Sequence, residues 1–259
     1  MQAKKSLGQN WLTSESARGE IMAAAELSAA ATVLEIGPGQ GFLTEALLAS
    51  GATVLAVEKD DRLIGELQKL FAPELASGQL TLTHADILDL EPGVGDLSKL
   101  VANSWQLVAN IPYYITGQLL QKFLTAENQP ERMVVMLQKQ VAERIVARDG
   151  KESILSLSVK AYGEPKYVKM VPKGAFSPQP SVDSAILLIK NISRDRFKRS
   201  QVSEARFFEL VKRGFAHKRK LLRRNLAVEP EILAKCGLNP DIRAEDVTIE
   251  EWLCLCTAF

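Results

Sequence analysis

Apolar and polar positions follow two rhythms along this chain. Between Thr32 and Gln138, short and almost wholly apolar runs alternate with longer stretches whose apolar residues recur every three or four positions. The runs 32–36 (TVLEI), 53–58 (TVLAVE), 80–86 (LTLTHAD), 105–114 (WQLVANIPYY) and 132–138 (RMVVMLQ) predict strands, the fourth ending in a proline turn. The stretches 42–50, 60–71 and 116–124 predict helices, the first stopped by Gly51. Near-continuous apolar strands separated by helices predict an α/β fold, a parallel sheet covered on both faces. Helices over 139–148 and 154–162 and strands over 166–172 and 184–190 are expected next. Between those strands, FSPQPSVD (176–183) is too rich in proline to be a strand and is expected to be loop. From about Ile192 the rhythm is helical only, over 204–215, 220–226, 230–236 and 250–256. The boundary therefore falls near 191–200, giving an α/β domain of residues 1–190 and a small basic all-helical domain of residues 191–259.

Composition narrows the class. The chain has 259 residues, 46% hydrophobic and 24% charged, which suits a folded core and argues against disorder. No apolar run approaches the roughly 18–20 residues that span a bilayer. The opening MQAKKSLGQNWL has no apolar stretch of the kind a secretory signal needs, so a cytoplasmic protein with no membrane contact is expected. Cys236, Cys254 and Cys256 form no CxxC pair, and with only His84 and His217 there is no zinc spacing. No metal and three reduced thiols are expected. The net charge of +1 conceals an uneven distribution. Residues 190–224 hold thirteen Lys or Arg against three Asp or Glu, a net +10, leaving −9 for the rest. Such a run suggests a polyanionic partner, with Lys218, Arg219, Lys220, Arg223 and Arg224 as candidate phosphate contacts. A solvated helical face is the other reading.

The candidate chemistry lies at predicted strand ends. Gly37, Gly39 and Gly41 form a GxGxG turn after the first strand, where a ligand can approach the backbone and the following helix N-terminus. The dinucleotide fingerprint is GxGxxG, so the spacing departs from it. Glu58 closes the second strand and can accept both ribose hydroxyls of either NAD or S-adenosylmethionine. Asp86 follows the third strand and can accept from an adenine amine, or simply cap a turn. The fourth strand ends in Asn110-Ile111-Pro112-Tyr113. An adenine amine is a poor nucleophile because its lone pair is delocalised into the ring. Two acceptors, the Asn110 side-chain oxygen and the Pro112 carbonyl, can hold its N–H bonds and aim the lone pair at a methyl group. Tyr113 offers a face for stacking. A neutral thioether leaves, so no strong base is needed.

These motifs resemble the KsgA/RsmA family of rRNA adenine dimethyltransferases. The resemblance runs through LGQNWL (7–12), VLEIGPGQGFLTEAL (33–47), VEKD (57–60), HADIL (84–88), NIPYYI (110–115), FSPQPSVDSAIL (176–187) and KRKLLRRNL (218–226). It implies a Rossmann-like S-adenosylmethionine-dependent methyltransferase domain whose N-terminal segment, 1–31, closes over the cofactor. Asn10, Leu12 and Gly39 would contact the methyl donor, Gly37 its amino-acid portion, Glu58 its ribose and Asp86 its adenine. Asn110 would touch both donor and target, with Tyr113 and Phe176 sandwiching the target base. The implied reaction places two methyl groups on each of two adjacent adenosines near the 3′ end of 16S rRNA in the small subunit, during late assembly, with S-adenosylhomocysteine as product. Trp11 stands where the family carries phenylalanine, and the basic run departs from the family's usual form. A monomer is expected, since no apolar helix face is obviously unclaimed. The rival readings are a large-subunit rRNA methyltransferase of the macrolide-resistance type, a non-catalytic assembly factor on the same scaffold, and an NAD oxidoreductase. LGQN and Val182-Asp183-Ser184 favour the small-subunit enzyme. The intact Asn-x-Pro-Tyr argues against lost catalysis, and the glycine spacing argues against NAD.

Overall fold

The structure, a computed structural model, describes residues 3, 4, 7–101 and 104–258. Residues 1, 2, 5 and 6 of the N-terminal segment, and 102, 103 and 259, lie outside the described residues. In chain order the elements are β1 (Trp11–Leu12), α1 (Glu15–Ala25), β2 (Thr32–Ile36), α2 (Phe42–Ala49), β3 (Thr53–Glu58), α3 (Asp61–Leu70), α4 (Ala72–Ser77), β4 (Leu80–His84) and β5 (Trp105–Asn110). There follow α5 (Thr116–Thr125), β6 (Arg132–Gln138), α6 (Lys139–Ile145), α7 (Ile154–Lys160), β7 (Glu164–Val171), β8 (Phe176–Ser177) and β9 (Ser184–Lys190). The helices α8 (Asp195–Ser200), α9 (Glu204–Gly214), α10 (Leu222–Leu226), α11 (Pro230–Lys235) and α12 (Ile249–Ala258) complete the chain.

The chain divides into two compact units. Residues 1–142 and 165–192 form the first, and residues 143–164 and 193–259 the second. The segment 143–164, which the apolar rhythm assigns to the α/β domain, thus groups with the C-terminal helices.

The first unit holds a seven-stranded sheet in the order β4-β3-β2-β5-β6-β9-β7. Strands β4, β3, β2, β5 and β6 run parallel, and β9 runs antiparallel to β6. The central strands are buried on both faces, as their unbroken apolar runs require. Val33, Val54, Val108 and Val134 share a core with Ala17, Ile21 and Ala25 of α1 and Leu43 and Leu47 of α2. Ser14 starts α1 by accepting the Ala17 amide at 3.3 Å, and Arg132 donates to the Ala24 carbonyl at its end, at 2.8 Å. The expected 176–183 loop is corrected at its first two residues. Phe176 and Ser177 form β8, antiparallel to β1, because the N-terminal segment supplies an edge for them to pair with.

The second unit is helical. Phe207, Leu210 and Val211 of α9, Leu222 and Leu226 of α10, and Trp252 of α12 are its buried core. Tyr162, just past α7, packs on Phe197 and hydrogen-bonds Glu204. The expectation of three reduced cysteines is corrected here. The end of α11 and α12 bring Cys236 and Cys254 to a Cα separation of 5.8 Å and a disulfide joins them, while Cys256 is free and buried. An 18-residue separation carries no motif, so only the helix packing reveals the pair.

Candidate active site

Strand order reverses between β2 and β5, and the crevice at the carboxyl ends of such strands is where open α/β sheets bind ligands. A cleft of about 780 Å³, open to solvent, lies there. Gly37 and Gly39 after β2, Glu58 at the end of β3, Asp86 after β4, and Asn110, Pro112 and Tyr113 after β5 all line it, with Asn10 and Trp11 of the N-terminal segment. Two expected site residues stand apart. Leu12 lines a smaller adjoining cavity with Trp11, Glu35, Gly39 and Asn110. Phe176 lines neither cavity. It is buried and paired with Leu12 across the β1–β8 ladder.

The glycine turn shows why a side chain is excluded. Gly37 and Gly39 have φ of +67° and +60°. A Cβ on Gly39 would come within 2.9 Å of the Trp11 indole, so Trp11 lies directly on that peptide. A Cβ on Gly37 would meet nothing within 4 Å and would stand in open space.

Each polar residue is pre-oriented. Glu58 is buried, its Oε2 accepting the Gly39 amide at 3.1 Å and its Oε1 the Asp60 amide at 2.8 Å. Burial raises its carboxyl above the usual value, outweighing those amides. The carboxylate so held lines the cleft. Asp86 Oδ1 accepts the Leu88 amide at 3.0 Å, and Oδ2 accepts from Lys59 Nζ at 2.5 Å. Burial opposes its ionisation, but Lys59 and the Leu88 amide prevail and hold the carboxyl below its ordinary value. Asp86 is therefore both turn cap and cleft residue. Asn110 Nδ2 donates to the Asn10 carbonyl at 3.0 Å, which leaves Oδ1 as the acceptor. The Pro112 carbonyl accepts the Ile115 amide at 3.2 Å and retains its second lone pair. Tyr113 is fixed by a 2.7 Å hydrogen bond between its hydroxyl and Ser184 Oγ, and burial raises its phenol.

Sequence reasoning overlooked three contributors. Ser184 is fully buried at the start of β9 and orients Tyr113. Lys59 occupies Asp86, and Asp60 engages the N-terminal segment. The VEKD and VDS strings contain all three, but only long-range contacts disclose their partners.

In the second unit, Lys218, Arg219 and Lys220 are exposed between α9 and α10, and Arg224 is exposed on α10. Arg223 is turned to structure instead, donating to the Pro240 carbonyl at 3.1 Å and to Asp241 at 3.3 Å.

A parallel sheet with a glycine turn, the carboxylates of Glu58 and Asp86 and an Asn-x-Pro-Tyr run gathered around one cleft at the strand ends has the architecture of the Rossmann-like, S-adenosylmethionine-dependent methyltransferases. The chain belongs to the ribosomal RNA adenine dimethylase family, which it matches over residues 1–259. It is 42% identical over 269 aligned residues to ribosomal RNA small subunit methyltransferase A of Dehalococcoides mccartyi, covering 100% of this chain and 89% of the relative. The protein of that name from Synechococcus elongatus is 38% identical, with coverage of 99% and 95%. Among solved structures, a dimethyladenosine transferase from Plasmodium falciparum superposes with a TM-score of 0.79 at 24% identity, covering 94% of this chain and 95% of that one. The 23S rRNA methyltransferase ErmE superposes with a TM-score of 0.78, also at 24% identity, covering 96% and 99%. At that identity both speak for the fold alone.

Proposed function

We propose that this protein dimethylates the exocyclic amines of two adjacent adenosines near the 3′ end of 16S rRNA, in the small ribosomal subunit or its precursor. It acts as a cytoplasmic monomer with S-adenosylmethionine as methyl donor. The observation that carries the reading is the Asn110 amide. Its nitrogen is held by the Asn10 carbonyl at 3.0 Å, so its oxygen is committed to accepting, in the cleft that Glu58 and Asp86 share. Names and similarity of the relatives above favour the small-subunit substrate over the large-subunit one.

Gly37, Gly39, Glu58, Asp86 and Asn10 are the residues that would hold the donor, and the buried Glu58 with its anchored oxygens fits a ribose diol. The bound donor supplies an electrophilic methyl on a sulfonium. Asn110 Oδ1 and the Pro112 carbonyl accept the two N–H bonds of the target amine. This draws the nitrogen toward a tetrahedral shape and points its lone pair into the cleft. The new N–C bond displaces a neutral thioether, and the amine's proton passes to solvent. Tyr113, anchored by Ser184, supplies the stacking face. The target base must leave any helical stack to reach these groups. Lys218, Arg219, Lys220 and Arg224 serve RNA phosphates.

Asn110→Ala tests the central step. It removes an acceptor without enlarging a packed core, so S-adenosylhomocysteine still raises the melting temperature while methyl transfer falls by about a hundredfold or more, the scale of losing one preorganised polar contact at a reacting centre. Transfer at wild-type rate would remove Asn110 from the mechanism.

A further inference from the structure

Besides the Asn110 bond to the Asn10 carbonyl and the pairing of β1 with β8, a buried carboxylate grips the N-terminal segment ahead of them. Asp60 follows β3 as the N-cap of α3, and its side chain is fully buried. Its Oδ2 accepts from Gln9 Nε2 at 2.8 Å, across 51 residues of sequence. Gln9 is oriented in turn, its Oε1 accepting the Lys4 backbone amide at 2.7 Å, and Lys4 Nζ reaches Asp60 Oδ1 at 3.4 Å. Arg62 neutralises the carboxylate from the other side, donating to Oδ1 at 2.9 Å and to Oδ2 at 2.6 Å. That bond, first among several, keeps Asp60 ionised far below the usual carboxylate range. The Asp60 backbone amide meanwhile donates to Glu58 Oε1, the ribose-type acceptor, at 2.8 Å. One residue therefore holds both the carboxylate that would take the ribose and the segment whose Leu7, Gly8, Gln9, Asn10 and Trp11 line the cleft. A helix cap alone requires only the Arg62 amide, which Asp60 accepts at 3.3 Å. The contacts with Gln9 and Lys4 serve no helix.

We infer that Asp60 is the latch of the donor site. By gripping Gln9 it fixes the N-terminal segment over the cleft, and so sets donor affinity without touching the donor. The inference rests on the donor reading above. It assigns Asp60, which does not line the cleft, as a positioning residue that acts through Gln9, which does; the polar side-chain atoms of Gln9 are engaged by Asp60 and by the Lys4 amide, so amide exchange of the ligand-free segment separates the grip from any direct contact of Gln9 with the donor.

The test uses the full chain with S-adenosylhomocysteine as probe. Gln9→Ala spares the α3 cap and should weaken binding about tenfold, the value of one hydrogen bond to a charged group. KM for the donor should rise by more than kcat falls. Gln9→Glu, which sets a second carboxylate against Asp60, should be weaker still. Asp60→Asn keeps a cap acceptor and should weaken binding, and adding Gln9→Ala to it should cost less than Gln9→Ala costs alone. In the ligand-free protein, amide exchange of residues 7–12 should quicken in Gln9→Ala while that of α3 stays unchanged. Wild-type affinity together with wild-type exchange in Gln9→Ala would overturn the latch and leave Asp60 a helix cap. If the wild-type chain binds no S-adenosylhomocysteine, the donor reading fails instead, and the exchange comparison still decides whether Gln9 and Asp60 hold the segment down.

Discussion

Glu35 stands in the middle of β2 with its Oε2 buried and without a hydrogen-bond partner. Burial pushes its carboxyl up from 4.5 to about 8, so the folded protein keeps a proton at neutral pH that the unfolded chain has released. Where the native state binds more protons, stability falls as pH rises. The loss begins near 4.5, continues toward about 8 and then levels off, with a slope of at most about 1.4 kcal/mol per pH unit. Glu35→Gln should therefore lose less stability between pH 5.5 and pH 8 than the wild type in denaturant unfolding. Equal losses would show that Glu35 is ionised in the folded state. The sequence does not disclose this residue's state, since VLEIG reads simply as a strand entering a glycine turn. Glu58, Asp86 and Asn110 were legible because each occupies a strand end, where the chemistry of the residue and its place in the fold coincide. Phe176 was placed by resemblance, and its burial beside Leu12 depends on a pairing of two-residue strands too short to leave a pattern.

Among the elements, those that carry the site were the most legible. Strands β2, β3, β5, β6 and β9 are long apolar runs, and period alone distinguishes them from their neighbours. Helix α1 left a fainter trace, because its buried face at Ala17, Ile21 and Ala25 is built mostly from alanine. Close helix approach is similarly hidden. Gly214, the last residue of α9, looks like an ordinary helix terminator, yet a Cβ there would lie 2.2 Å from the Trp252 ring of α12. Trp252 is fully buried. Gly214→Ala should therefore destabilise the protein by about 1–3 kcal/mol through overpacking, despite alanine's better helix propensity. Denaturant unfolding measures this, and a stabilised variant would mean that α12 shifts freely.

At the scale of the whole molecule, the sequence predicts two parts but does not disclose that residues 143–164 group with the second. Helix α7 has the same amphipathic pattern as a helix crossing the sheet, and nothing in its spacing says that Tyr162 beyond it will pack on Phe197. Charge, by contrast, survives folding as a pattern, because Lys218, Arg219, Lys220 and Arg224 remain exposed. Neutralising these four should weaken rRNA binding and flatten its dependence on salt, since each released phosphate contact contributes to the slope. Arg223, held by Asp241, should contribute less. An unchanged slope would place the phosphate contacts elsewhere. The most direct test of the whole account is transfer of labelled methyl groups from S-adenosylmethionine to purified small subunits that lack the modification, with large subunits alongside. The account predicts four methyl groups per small subunit, all on adenosines near the 3′ end of 16S rRNA, and none on the large subunit. Label on large-subunit RNA, or none on either, would contradict it.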